Sequence, residues 1–78
     1  MNTIAITVDA RGQSCPGPLV TLHKALKDAE RGDLLELLAT DPGARSDVPS
    51  WAKLSGNELV EATQDDGLFR FVIRKARG

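Results

Sequence analysis

A single thiol stands in Gly12-Gln13-Ser14-Cys15-Pro16-Gly17-Pro18-Leu19, between a serine and two residues that lack ordinary backbone or side-chain donors. Proline suits the first helical position, because its missing N–H would be unpaired there anyway. A second proline inside the first turn removes no intrahelical bond either. This segment therefore reads as a helix start with Cys15 at the N-cap, Pro16 fixing the first helical φ and Pro18 in the first turn. The positive end of the helix dipole favours thiolate over thiol at that position. The expected anion stabilisers are the amides of Gly17 and Leu19, and the guanidinium of Arg11 in the preceding loop. Gly17, without a side chain, leaves room for another protein's sulfur. The competing reading makes Cys15 a small buried hydrophobe.

Counting residues limits the chemistry. A dithiol oxidoreductase needs a resolving cysteine, and the chain has one cysteine in all. A structural zinc site needs four ligands, whereas one cysteine and one histidine are present. No resident metal and no cofactor is expected. His23, the only candidate base, follows Cys15 by eight positions; along a helix that is roughly 12 Å, too far for proton transfer. It reads as a solvated helix residue. Asp41-Pro42-Gly43-Ala44-Arg45 matches neither a P-loop nor a dinucleotide fingerprint. A thiol with no base, metal or second thiol can still attack a persulfide and carry the sulfur it receives.

The elements that must position Cys15 follow from periodicity. Thr3–Val8 alternates as a half-buried strand, and residues 9–14 read as a loop. Pro16–Glu30 carries Leu19, Leu22, Leu26 and Ala29 at helical spacing, with Gly32 as the stop and Arg31 beside the terminal carbonyls. Asp33–Thr40 is Leu-rich, but short and punctuated at both ends, so it reads as a central strand. Ala44–Gly56 reads as a second helix, capped by Ser46 or Asp47, with Val48, Trp51 and Ala52 inward. Asn57–Gln64 and Leu68–Lys75 flank Asp65-Asp66-Gly67, a tight-turn signal. The expected fold class is α/β: a two-layer sandwich, β-α-β-α-β-β, a four-stranded mixed sheet with two helices on one face and a right-handed first crossover. Arg70 and Arg74 share a strand face with Val72, either as a solvated face or as a docking patch for an acidic partner.

The 78 residues suffice for one domain, residues 1–78, and 41% apolar with 27% charged residues argues against disorder. A lone thiol fits a reducing, cytoplasmic setting. No signal peptide is expected from MNTIAITVDA, and no run reaches the roughly 20 apolar residues of a membrane span. The net charge of −1 builds no field for nucleic acid, so neither direct nucleic-acid binding nor a membrane association is expected.

Asp9-Ala10-Arg11-Gly12-Gln13-Ser14-Cys15-Pro16-Gly17-Pro18 and the residues to Leu26 resemble the signature of TusA/SirA-like sulfur-carrier proteins, with Cys-Pro-X-Pro at the start of the first helix. Residues 39–59, with the Asp-Pro turn and short helix, and the closing hairpin at 66–75 resemble the same family, so the likeness spans about Thr7 to Lys75. The resemblance implies a single TusA-like domain in which Cys15 accepts sulfane sulfur and hands it on. It implies a cysteine desulfurase or rhodanese-type donor, and an acceptor protein leading to tRNA thiolation, molybdenum-cofactor assembly or sulfur oxidation. Family members in tRNA thiolation carry an acidic residue between the prolines, where this chain has Gly17. Some relatives carry a second cysteine beside the tryptophan position, where this chain has Ala52. The alternative is a small interaction or regulatory module in which Cys15 is structural.

Overall fold

The computed structural model describes residues 3–14 and 17–76. Its elements are β1 (Ile4–Ala10), α1 (Gly17–Asp28), β2 (Leu34–Ala39), α2 (Ala44–Ser55), β3 (Glu58–Asp65) and β4 (Leu68–Arg74). The sheet order is β1-β2-β4-β3. β1 and β2 run parallel, with α1 as their crossover, and β4 is antiparallel to both β2 and β3. The expected mixed sheet is therefore present.

One face of the sheet makes the core. Val8 and Ala10, then Leu35, Leu37 and Ala39, then Phe69, Phe71 and Ile73 alternate inward along their strands. Leu22, Leu26 and Ala29 from α1 and its exit, and Ala44 and Val48 from α2, pack onto them. Both helices thus lie on the same face. β2 is central, between β1 and β4, and from Leu35 to Ala39 its buried residues alternate with the half-buried Glu36 and Leu38 of the other face.

Several boundaries differ from the sequence reading. β1 continues through Asp9 and Ala10, because Asp9 pairs in register with Leu38 and Ala10 with Ala39. α1 ends at Asp28, four residues before Gly32, and the turn after it is closed by the Asp33 carboxylate, which accepts from the Glu30 amide at 2.9 Å. α2 begins at Ala44 with Gly43 as its N-cap and no side-chain cap. Ser46 and Asp47 lie inside its first turn, because Ala44 and Arg45 already donate to the carbonyls of Asp41 and Pro42. Trp51 is half-buried at the margin of the core, while Val48 and Ala52 are fully inward. Asp66 and Gly67, with φ of 50° and 81°, form the two-residue turn between β3 and β4. Lys75 is buried and its Nζ donates to the Ala29 carbonyl at 2.7 Å, satisfying a carbonyl at the exit of α1.

The open face of the sheet carries an ion-pair network. Arg70 pairs with Glu36 and, at 2.9 Å, with Glu61; Arg74 pairs with Glu58 at 3.1 Å. Thr7 Oγ1 donates to Glu36 at 3.0 Å. The Glu36 carboxyl is held below its ordinary value by the hydrogen bond from Arg70, assisted by Thr7 and by the charge of Arg70, against partial burial. A depressed carboxyl adds stability above its unfolded pKa, and that increment is lost as pH falls through the folded pKa. The unfolding midpoint is therefore expected to hold steady above pH about 4.5, Glu36's ordinary value, and to fall below it. Glu36→Gln should lower the neutral-pH midpoint and flatten the acid limb, as followed by circular dichroism melts from pH 7 to pH 2. A wild-type acid limb retained in Glu36→Gln would remove Glu36 as its source.

Candidate functional site

Two loops leave the C-terminal ends of the parallel strands β1 and β2: residues 11–14 and residues 40–43. They are tied together, since the Gly12 amide donates to Thr40 Oγ1 at 2.9 Å. The first loop opens with a turn in which Gln13 N donates to Ala10 O at 3.2 Å and Gly12 takes a φ of +81°. That is the position of a type II turn that favours glycine. Asp41, Pro42 and Gly43, which follow Thr40, are thereby brought beside the loop that leads to Cys15.

Cys15 itself and Pro16 lie outside the described residues, so the expected N-cap geometry falls outside them too. Pro18 is buried and Leu19 half-buried in the first turn of α1, packed against the core. The Gly17 amide donates to the Ser14 carbonyl at 2.7 Å. That amide is thus engaged in a backbone bond here, which departs from the free donor expected. Leu19 occupies the third position of α1, within the turn whose amides start the helix.

Arg11 also departs from expectation. Its guanidinium grips the Asp9 carboxylate through Nε at 2.8 Å and Nη2 at 2.9 Å. The Arg11 amide adds a bond to the same carboxylate at 3.1 Å. Asp9 is lowered to about 2, first by the side-chain bond from Arg11 and then by the backbone bond. Arg11 is thus half of a neutral surface pair instead of an isolated cation near the thiol. The reason is local: Asp9 belongs to β1, and the turn after Ala10 folds Arg11 back onto it.

Two cations of α1, Lys24 and Lys27, stand on an open part of the surface. Lys24 and Lys27 rim an open trough of about 440 Å³ that also involves Leu19, Val20, His23 and Trp51. His23 and Trp51 meet edge to face with centroids 6.4 Å apart. A smaller hollow of about 130 Å³ continues from it between α1 and α2, reaching Ser55, Asn57 and Lys75. No acidic side chain lines either hollow. Val20, 46% exposed, adds apolar surface. Arg70 and Arg74, read from sequence as either a solvated face or a docking patch, pair with Glu36, Glu61 and Glu58. The signal for the trough was in the sequence: Val20, Lys24 and Lys27 recur at helical spacing on the face opposite Leu22 and Leu26. Among the described residues no cluster of His, Cys, Asp and Glu could hold a metal ion, and no helix is long and apolar enough to cross a membrane.

A mixed four-stranded sheet, two helices on one face and a Cys-Pro-Gly-Pro entry to α1 define a SirA-like α/β sandwich. A SirA-like protein from Desulfitobacterium hafniense superposes with a TM-score of 0.78 at 30% identity, covering 92% of this chain and 99% of the other. The family described as sulfurtransferase TusA matches residues 6–75, and this chain belongs to it. It is 42% identical over 72 residues to a relative from Archaeoglobus fulgidus provisionally named a sulfur carrier protein, covering 92% of this chain and 99% of the relative. It is 38% identical over 74 residues to the sulfur carrier protein TusA of Pseudomonas aeruginosa, covering 95% and 94% of the two chains.

Proposed function

We propose that this chain is a sulfur carrier that holds sulfane sulfur as a persulfide on Cys15 and relays it between two proteins. The observation that carries this reading is that the family match, residues 6–75, contains a single thiol, and that thiol sits in the Cys-Pro-X-Pro tetrapeptide. The Cys15 thiolate attacks the outer sulfur of a donor persulfide. One S–S bond forms, the donor's S–S bond breaks, and the donor cysteine leaves as thiolate. No external oxidant or reductant is needed. Delivery to an acceptor repeats the exchange in the other direction. The donor is of the cysteine desulfurase or rhodanese type, and the acceptor is a protein of tRNA thiolation, molybdenum-cofactor assembly or sulfur oxidation. The setting is cytoplasmic, and the carrier is a relay instead of a stand-alone enzyme.

Mass spectrometry tests the reading. Incubation with a cysteine desulfurase and cysteine, without reductant, should add the mass of one sulfur atom, and thiol reductant should release it as sulfide. A chain that gains no sulfur from desulfurase or rhodanese donors, and whose Cys15 resists alkylation in the native state, would instead be an interaction module with a structural cysteine.

The trough on α1 suits a partner that offers apolar and acidic groups. Lys24→Glu/Lys27→Glu should slow loading by about tenfold at low salt, and the difference should shrink toward 1 M salt as the charges are screened. Initial rates of persulfide formation against ionic strength measure this. A rate equal to wild type at low salt would remove the trough from the docking account.

A further inference from the structure

Gln13 does something that the role expected of Gly17 left open. A Cβ at position 17 would lie 3.1 Å from Gln13 Cβ, 3.1 Å from Gln13 Oε1 and 3.7 Å from Gln13 Cδ. The glutamine side chain therefore packs close against Gly17, and a side chain at position 17 would push it aside by a few tenths of an ångström. Thr21 lies beneath it: the Thr21 hydroxyl is 3.0 Å from both Gln13 Oε1 and the Gly17 carbonyl oxygen, and its one proton is shared between these two acceptors. Thr21 is one helical turn after Gly17, so a single hydroxyl joins the glutamine to the helix it covers. Gln13 remains exposed. What stands over the first turn of α1 is thus an uncharged carboxamide from the loop, not a residue-17 side chain. Gly17 is needed for this close approach, not for an unusual φ.

We propose that Gln13 is a specificity-determining residue for sulfur transfer: its carboxamide packs against Gly17, the residue between the two prolines, and an approaching protein partner meets that neutral group two positions before Cys15 in the chain. This rests on the carrier reading above. A partner drawn to Lys24 and Lys27 carries negative charge, so a negative charge at position 13 repels it, whereas a small neutral reagent is indifferent.

The test uses the intact protein with a cysteine desulfurase as donor. KM and kcat for persulfide loading are compared in wild type, Gln13→Glu, Gln13→Ala and Thr21→Val, and iodoacetamide reports access to Cys15 in each. Gln13→Glu should raise KM about fivefold at low salt with kcat nearly unchanged, and the rise should fade in high salt. Thr21→Val, which frees the glutamine, should raise KM less, and Thr21→Ser should restore it. Iodoacetamide rates should stay within about twofold throughout. A thermal-unfolding cycle reads the steric half: Gly17→Ala should be tolerated better in the Gln13→Ala background than beside Gln13. Wild-type loading with an unchanged KM in Gln13→Glu would overturn the specificity role alone. Additive stabilities in the Gln13/Gly17 cycle would overturn its steric basis. Wild type that loads no sulfur would overturn the carrier reading, and this proposal with it.

Discussion

Cys15→Ser is expected to gain no sulfur from any persulfide donor, a complete loss, while its unfolding midpoint stays within about 4 °C of wild type. The chain holds two sulfur atoms, in Cys15 and Met1, and a thioether cannot form a persulfide. The loss must therefore be total rather than partial. The small effect on stability follows from the chemistry of helix starts. Serine differs by one atom, and its hydroxyl is among the preferred caps for first-turn amides. Cys15→Ala should be equally dead, and the N-cap position expected of residue 15 from the sequence predicts it to be less stable than Cys15→Ser by about 1 kcal/mol. Intact-mass spectra after donor treatment, beside melts of all three proteins, separate the two effects. Sulfur on Cys15→Ser would move the carrier atom off Cys15 and end the proposal.

The sequence made the layer order legible because its signals were local. Thr3–Val8 alternates, Leu22 and Leu26 fall one turn apart, and Asp66-Gly67 is a turn that few other residue pairs form as readily. β2 was legible from punctuation, since leucine content alone favours helix. What misled were the terminal residues of elements. Asp9 looks like a loop residue until its register with Leu38 is known, because strand pairing is set by a partner 29 positions away. Ser46 and Asp47 are good caps by type, yet the Asp41-Pro42-Gly43 turn had already supplied the first helical acceptors.

The same limit governs the candidate site. Arg11 is the nearest cation to Cys15 along the chain, but the turn at Gly12 returns it to Asp9. Nearness in sequence did not become an unpaired positive charge. Arg70 and Arg74 looked like a basic patch because their strand was read alone. Across the sheet each faces a glutamate, and cross-strand pairs decide the charge of a sheet face. The Gln13 contact over Gly17 had no sequence signal at all, since it depends on the loop folding back four residues. The arginines of the open sheet face are thus paired with glutamates, whereas Lys24 and Lys27 of α1 stand at an open trough.

Leu37→Ala is expected to cost about 3 kcal/mol and to lower the unfolding midpoint by roughly 15–20 °C. Leu37 is fully buried on β2, with β1 and β4 on either side and both helices packed over its face of the sheet. Truncation there leaves a cavity that cannot collapse without moving two strands. A domain of 78 residues has a total stability of only about 4–12 kcal/mol, so the loss is a large fraction of it. No disulfide can offset it, because the chain has one cysteine. Leu54→Ala is the control: that side chain is 87% exposed, and its truncation should change stability by less than about 0.5 kcal/mol. Urea unfolding gives both numbers. Well below its lowered midpoint, Leu37→Ala should still load sulfur, because the core holds the loops in place without touching the transferred atom. A Leu37→Ala protein that remains folded with its midpoint unmoved would place Leu37 outside the core; one that stays folded yet fails to load would show that the loops answer to packing beneath β2 more closely than the Gly12–Thr40 tie implies.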